Sequence, residues 1–115
     1  MKREIVALCG STRFRDEFRE VERFLTLEGK IPLPPAIYGK AEGIKYSDKL
    51  SKKLWKLHVD KIKISDGIFV IDVDGYMGES TRKEISLAQK NGKFVRYYSQ
   101  EKDRIEKLLS QGELK

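Results

Sequence analysis

A chain of 115 residues with 39% hydrophobic and 10% aromatic side chains and only three prolines can build one domain with a real core, spanning residues 1-115, and is not a disordered tract. One cysteine and one histidine exclude an internal disulfide framework and give no basis for a Cys/His zinc site, so neither metal nor cofactor is expected. The net charge of +6 favours an anionic ligand, and no apolar run is long enough to cross a membrane.

Met1-Lys2-Arg3-Glu4 leads straight into an apolar run and does not read as a signal peptide. With the lone cysteine, this gives a cytoplasmic expectation. Ile5-Val6-Ala7-Leu8 reads as a buried strand, and Cys9-Gly10-Ser11-Thr12 as a tight strand-to-helix turn. Phe14, Phe18, Val21 and Leu25 recur at helical spacing, with Asp16 and Glu17 at the positive end of the helix and Gly29 as its stop. Ile31-Pro32-Leu33-Pro34-Pro35 predicts a short edge strand, because proline cannot serve a central ladder. Residues Tyr38 to Ser47 read as a loop and Asp48 to about Ile64 as a helix. A strand is predicted over Gly67 to Val73, a helix over Arg82 to Asn91, a strand over Phe94 to Tyr98 and a helix over Glu101 to Leu109. This alternation predicts an α/β fold with a small, mostly parallel sheet between two helical layers. A sheet this small leaves edges or helix faces that a second copy would cover.

The stretch from Ile68 to Glu84 holds the candidate chemistry. An apolar strand delivers Asp72 and Asp74 to its C-terminal end, where open α/β sheets bind ligands. Two residues apart on extended chain, these carboxylates would share a face. Glu84 follows in the first turn of the next predicted helix. Thr81-x-x-Glu84 fits a capping box, which would make Glu84 structural, whereas a carboxylate facing the cleft could attack an acetal-like carbon. Asp66, just before the strand, suits either a turn cap or a site.

Gly10, Ser11, Thr12 and Arg13 offer helix-start amides, hydroxyls and a guanidinium to an anion, without the spacing of a P-loop or a dinucleotide fingerprint. Cys9 and Arg15 have the Cys-x5-Arg spacing of cysteine phosphatases, but Asp16 stands where a hydroxyl would assist the leaving thiolate. His58, two turns before Asp66, is either structural or within reach of the cleft. Lys49, Lys52, Lys53 and Lys56 form a basic helical face without interleaved aromatics, so a solvated face is favoured over a nucleic-acid surface.

Three stretches resemble the nucleoside 2-deoxyribosyltransferase-like superfamily, which includes the 2'-deoxynucleoside 5'-monophosphate N-glycosidases. They are Ala7 to Phe14, Leu57-His58-Val59-Asp60-Lys61-Ile62, and Ser65 through Gly92-Lys93. The resemblance implies a flavodoxin-like or Rossmann-like three-layer fold. It implies cleavage of the N-glycosidic bond of a deoxynucleoside or its monophosphate, by hydrolysis or by transfer, with no cofactor. On this likeness Glu84 is the nucleophile, and Asp66 and Asp72 orient the sugar or assist departure of the base. On the same likeness Gly10, Ser11 and Arg13, with Ser80 and Thr81, hold the phosphate or sugar hydroxyls; Thr12, Phe14, His58, Asp74 and Gly78 complete the candidate substrate-binding set. Homodimers or larger homo-oligomers are implied as well. Gly78 departs from the pattern, standing six residues before Glu84 where well-studied branches place Asp or Ser. A module that binds nucleotides without cleaving them is the alternative reading.

Overall fold

In the computed structural model, which describes residues 2–111, four strands form one parallel sheet in the order β2-β1-β3-β4. The strands are β1 (Ile5–Gly10), β2 (Ile31–Leu33), β3 (Gly67–Ile71) and β4 (Phe94–Tyr97). The helices are α1 (Arg15–Leu27), α2 (Gly39–Glu42), α3 (Asp48–Ile64), α4 (Glu79–Lys90) and α5 (Tyr98–Ser110). The α/β expectation holds, and the arrangement is a flavodoxin-like three-layer fold.

Strand alternation sorts side chains between two cores. Val6 and Leu8 of β1, with Phe69 and Ile71 of β3, pack against Phe18, Val21, Phe24 and Leu25 of α1 and Ile105 of α5. Ala7 and Cys9, with Ile68 and Val70, face Ile62 of α3 and Ala88 of α4. Burial on both faces explains why β3 reads as an unbroken apolar run rather than an alternating one.

The first layer is also locked by charge. Arg96 of β4 donates to Glu28 at 3.0 and 3.3 Å and to Glu101 at 2.8 and 2.7 Å, while its guanidinium lies over Phe69 and Phe24. The second layer is thinner. Ile62 is the one fully buried residue described in α3, whereas Leu50, Trp55, Leu57 and Ile64 stand exposed. Lys93 secures the end of that helix by donating to the carbonyls of Ser65 at 2.5 Å and Lys63 at 3.1 Å. These carbonyls have no partner within the helix, so the Gly92-Lys93 pair has a structural role.

Several boundaries differ from expectation, each for a local reason. β3 ends at Ile71, because Asp72 to Gly75 turn through a single 3₁₀ turn with Asp74 at φ +52°. Helix α4 begins at Glu79, three residues before the predicted Arg82, with Gly78 in extended backbone as its cap. Helix α5 begins at Tyr98 rather than Glu101, directly after β4. The predicted 38–47 loop contains the short α2, whose leading Tyr38 packs edge-on against Phe18.

Candidate functional site

In the order β2-β1-β3-β4, the chain leaves β1 toward β2 on one side and leaves β3 toward β4 on the other. Their C-terminal ends therefore flank the topological switch point, where such sheets open a crevice. Gly10 pairs with Ile71 at this end and sits at φ +148°. A Cβ on Gly10 would lie 3.0 Å from the Ile71 carbonyl oxygen, so glycine is what allows the close approach.

The two loops beyond these strands meet across the crevice. Ser11 caps the 3₁₀ turn Thr12–Phe14 and accepts from the Arg13 side chain at 3.0 Å. Arg13 also donates to the Tyr76 hydroxyl at 3.2 Å and lies 4.5 Å from that ring's centre. Phe14 meets the same ring edge-on. Thr12 accepts the Lys40 amide at 3.3 Å, tying α2 to the turn. Gly10, Ser11, Thr12, Arg13 and Phe14 thus lie together beyond β1, with Tyr76 as an unforeseen partner.

Glu84 lies on the second turn of α4 and is only 4% exposed. The early start of α4 moves both Thr81 and Glu84 inside the helix, so no capping box exists and Glu84 has no capping role. Its Oε2 lies 2.5 Å from His58 Nε2 of α3. The same nitrogen lies 3.3 Å from the Sγ of Cys9, the next-to-last residue of β1. A strand and two helices thus place thiol, imidazole and carboxylate in mutual contact near the C-terminal end of β1.

Cys9 sits within the strand, not in the loop beyond it, and is 1% exposed. Burial foremost, then the charge of Glu84 and a hydrogen bond to it, push its thiol well above the ordinary range. A thiol held protonated in this way lacks the thiolate that a cysteine phosphatase uses. The Cys-x5-Arg spacing therefore gains no support from the geometry.

The other carboxylates do not join this group. Asp66 is exposed at the N-terminal edge of the sheet, where it accepts the Ile5 amide at 2.7 Å. It is separated from the crevice by the length of β3, about 17 Å for five residues. Asp72 is buried but turned toward α5, accepting the Ser99 amide at 2.8 Å and the Ser99 hydroxyl at 2.6 Å. It secures the first turn of that helix. Asp74 is exposed in the turn and shares no strand face with Asp72. Thr81 is buried in the first turn of α4, whereas Ser80 is exposed there.

A groove of about 550 Å³ runs between α3 and α4, lined by Trp55, Val59 and Arg82 among others, and excludes Cys9, His58 and Glu84. The predicted lysine face is present and exposed on α3. No helix among the described residues is long and apolar enough to cross a membrane. No protein-family model, curated protein or solved structure matches the chain, so its function has to be read from the geometry of this site.

Proposed function

We propose that the chain cleaves the N-glycosidic bond of a 2'-deoxynucleoside or its 5'-monophosphate, with Glu84 as the nucleophile. The observation that carries this reading is the placement of Glu84. It is a buried carboxylate with no capping duty, oriented by His58, beside the β1/β3 switch point. A carboxylate held in a dry site is suited to attack an acetal-like carbon as the leaving group departs. Its oxygen would bond to the anomeric carbon while the carbon–nitrogen bond breaks and the base leaves with that electron pair. The departing base takes up a proton from solvent. Water then releases deoxyribose, or a second base accepts it. His58 acts as a positioning residue, fixing the carboxylate through Nε2. Ser11, Arg13 and the amides of the turn after β1 would hold the phosphate, as the net charge of +6 favours.

A second copy of the chain is part of this proposal. Leu50, Leu57 and Ile64 recur every seven residues along α3, forming one exposed apolar stripe. Pairing of α3 with its counterpart would cover the stripe and close the layer that carries His58.

Non-catalytic nucleotide binding is the second reading. It is favoured by the full engagement of Glu84 with His58 and Cys9. Incubation with a panel of deoxynucleosides and their monophosphates separates the two. Chromatography should detect free base, and Glu84→Gln should reduce its release by more than about a thousand-fold. Undiminished release by folded Glu84→Gln would remove Glu84 as the nucleophile. Ligand-dependent thermal stabilisation without product would establish binding alone.

A further inference from the structure

The Cys9–His58–Glu84 cluster has a property that glycoside cleavage does not require. Three electron-pair donors of different chemistry, a sulfur, an imidazole nitrogen and a carboxylate oxygen, lie within 4.8 Å of one another. The chain has a single cysteine and a single histidine, and the fold delivers both to the same glutamate. They come from three separate elements, β1, α3 and α4, so no local spacing would have announced them.

The geometry points to a binding site for a borderline-soft divalent cation of the zinc class, held by Cys9 Sγ, His58 Nε2 and Glu84 Oε2. Thiolate, imidazole and carboxylate are all common zinc ligands, and three protein ligands leave the fourth tetrahedral position open. Zinc–sulfur and zinc–nitrogen bonds of about 2.3 and 2.0 Å place those two ligand atoms about 3.5 Å apart. The observed thiol–imidazole separation of 3.3 Å is already close to that. The imidazole–carboxylate separation of 2.5 Å would open by roughly 0.8 Å, a side-chain adjustment for Glu84. Calcium or magnesium would not suit, because these ions select oxygen ligands. Ion binding releases the thiol proton to solvent. His58, whose side chain is 17% exposed, marks the side from which the ion and its fourth ligand arrive.

Metal on Glu84 would also occupy the proposed nucleophile. On the glycosidase reading, cation binding and turnover exclude each other, and the ion is an inhibitor rather than a cofactor. The cation site itself is independent of that reading and is tested without turnover.

The test is titration of the purified 115-residue chain with cobalt(II) and zinc(II). Cobalt should generate a cobalt–thiolate charge-transfer band at one equivalent, zinc should abolish it by displacement, and Cys9→Ser should lack it. Zinc affinity measured by calorimetry should fall by at least about ten-fold in Cys9→Ser and in His58→Ala, the effect that even an outer-shell change produces. Circular dichroism establishes that each variant is folded, and the exposed edge of His58 makes its variant the more tolerant of the two. Absence of the band in the parent protein would overturn the proposal. So would zinc affinity unchanged in both folded variants, because the ion would then be held elsewhere. Loss of zinc affinity in a Cys9→Ser variant that still releases base would uphold the cation site while separating it from catalysis.

Discussion

Asp72 offers the sharpest separation of packing from chemistry, because its position at a strand end suggests a catalytic carboxylate while its hydrogen bonds place it on α5. It accepts two bonds from Ser99, one from the amide and one from the hydroxyl. Hydrogen bonds to a charged acceptor contribute about 1.5–3 kcal/mol each, and a carboxylate at a helix start adds about 0.3–1 kcal/mol. Ser99 is exposed, so water can replace part of what is lost and the low end applies. Asp72→Ala should therefore cost about 3 kcal/mol. Asp72→Asn keeps an oxygen for the Ser99 amide and lets the hydroxyl turn round to accept, so its cost should be about 1 kcal/mol. For a domain of this size these values lower Tm by about 12 °C and about 4 °C. Urea denaturation measures the free energies, and base release at a temperature where each variant is folded measures the chemistry. Both folded variants should retain turnover within about ten-fold, well above the level expected of Glu84→Gln. If Asp72→Asn keeps full stability yet loses turnover more than about a hundred-fold, the helix-securing role is wrong and Asp72 belongs to the reaction.

Gly10→Ala should destabilise the chain by about 2–4 kcal/mol, combining positive-φ strain with a 3.0 Å approach to the Ile71 carbonyl. Equilibrium unfolding would read this directly, and an unchanged midpoint would mean that the two strand ends can part. Tyr98, beginning α5, has its phenol pushed up to about 12 by burial and by Glu20, Glu17 and Glu106. An unfolded tyrosine ionises near pH 10, so this stabilisation is present below about pH 10 and is lost as pH rises through about 12. Thermal melts across that range should show the decline, and Tyr98→Phe should flatten it. Leu57→Lys should convert a dimer to a monomer in analytical ultracentrifugation, whereas an unshifted sedimentation profile would clear the α3 stripe of that role.

Fold class was legible because β1 and β3 are compact apolar runs and α1 carries a clean helical stripe ended by a positive-φ Gly29. Chain periodicity cannot report how a turn begins. Thr81-x-x-Glu84 imitates a cap, but Gly78 in extended backbone starts the helix earlier, and that shift changes what Glu84 is free to do. The Asp72 and Asp74 pairing failed because it assumed extended chain past Ile71, where a turn with positive φ intervenes. Asp66 was displaced by strand direction, which puts it at the opposite edge of the sheet. The partner of Glu84 was hidden for a different reason. His58 lies on another helix, and only the packing of α3 beside α4 joins them. Cys9 was partly readable, since strand alternation sets it on the same face as Ala7, toward the helices that carry the other two groups.

The unequal strength of the two helical layers decides which one opens first on heating. The layer of α1 and α5 is pinned by Arg96 and its glutamates, while α3 buries one residue fully and leaves Ile64 66% exposed. Local opening starts where apolar contact is sparse, so α3 of an isolated chain should open before the sheet unravels. His58 rides on that helix. On heating, Glu84 would lose its orienting partner while the protein still looks folded by most spectroscopic measures. On the glycosidase reading, the upper temperature for turnover would then be a property of one lightly held helix, and whatever docks against that helix would raise it.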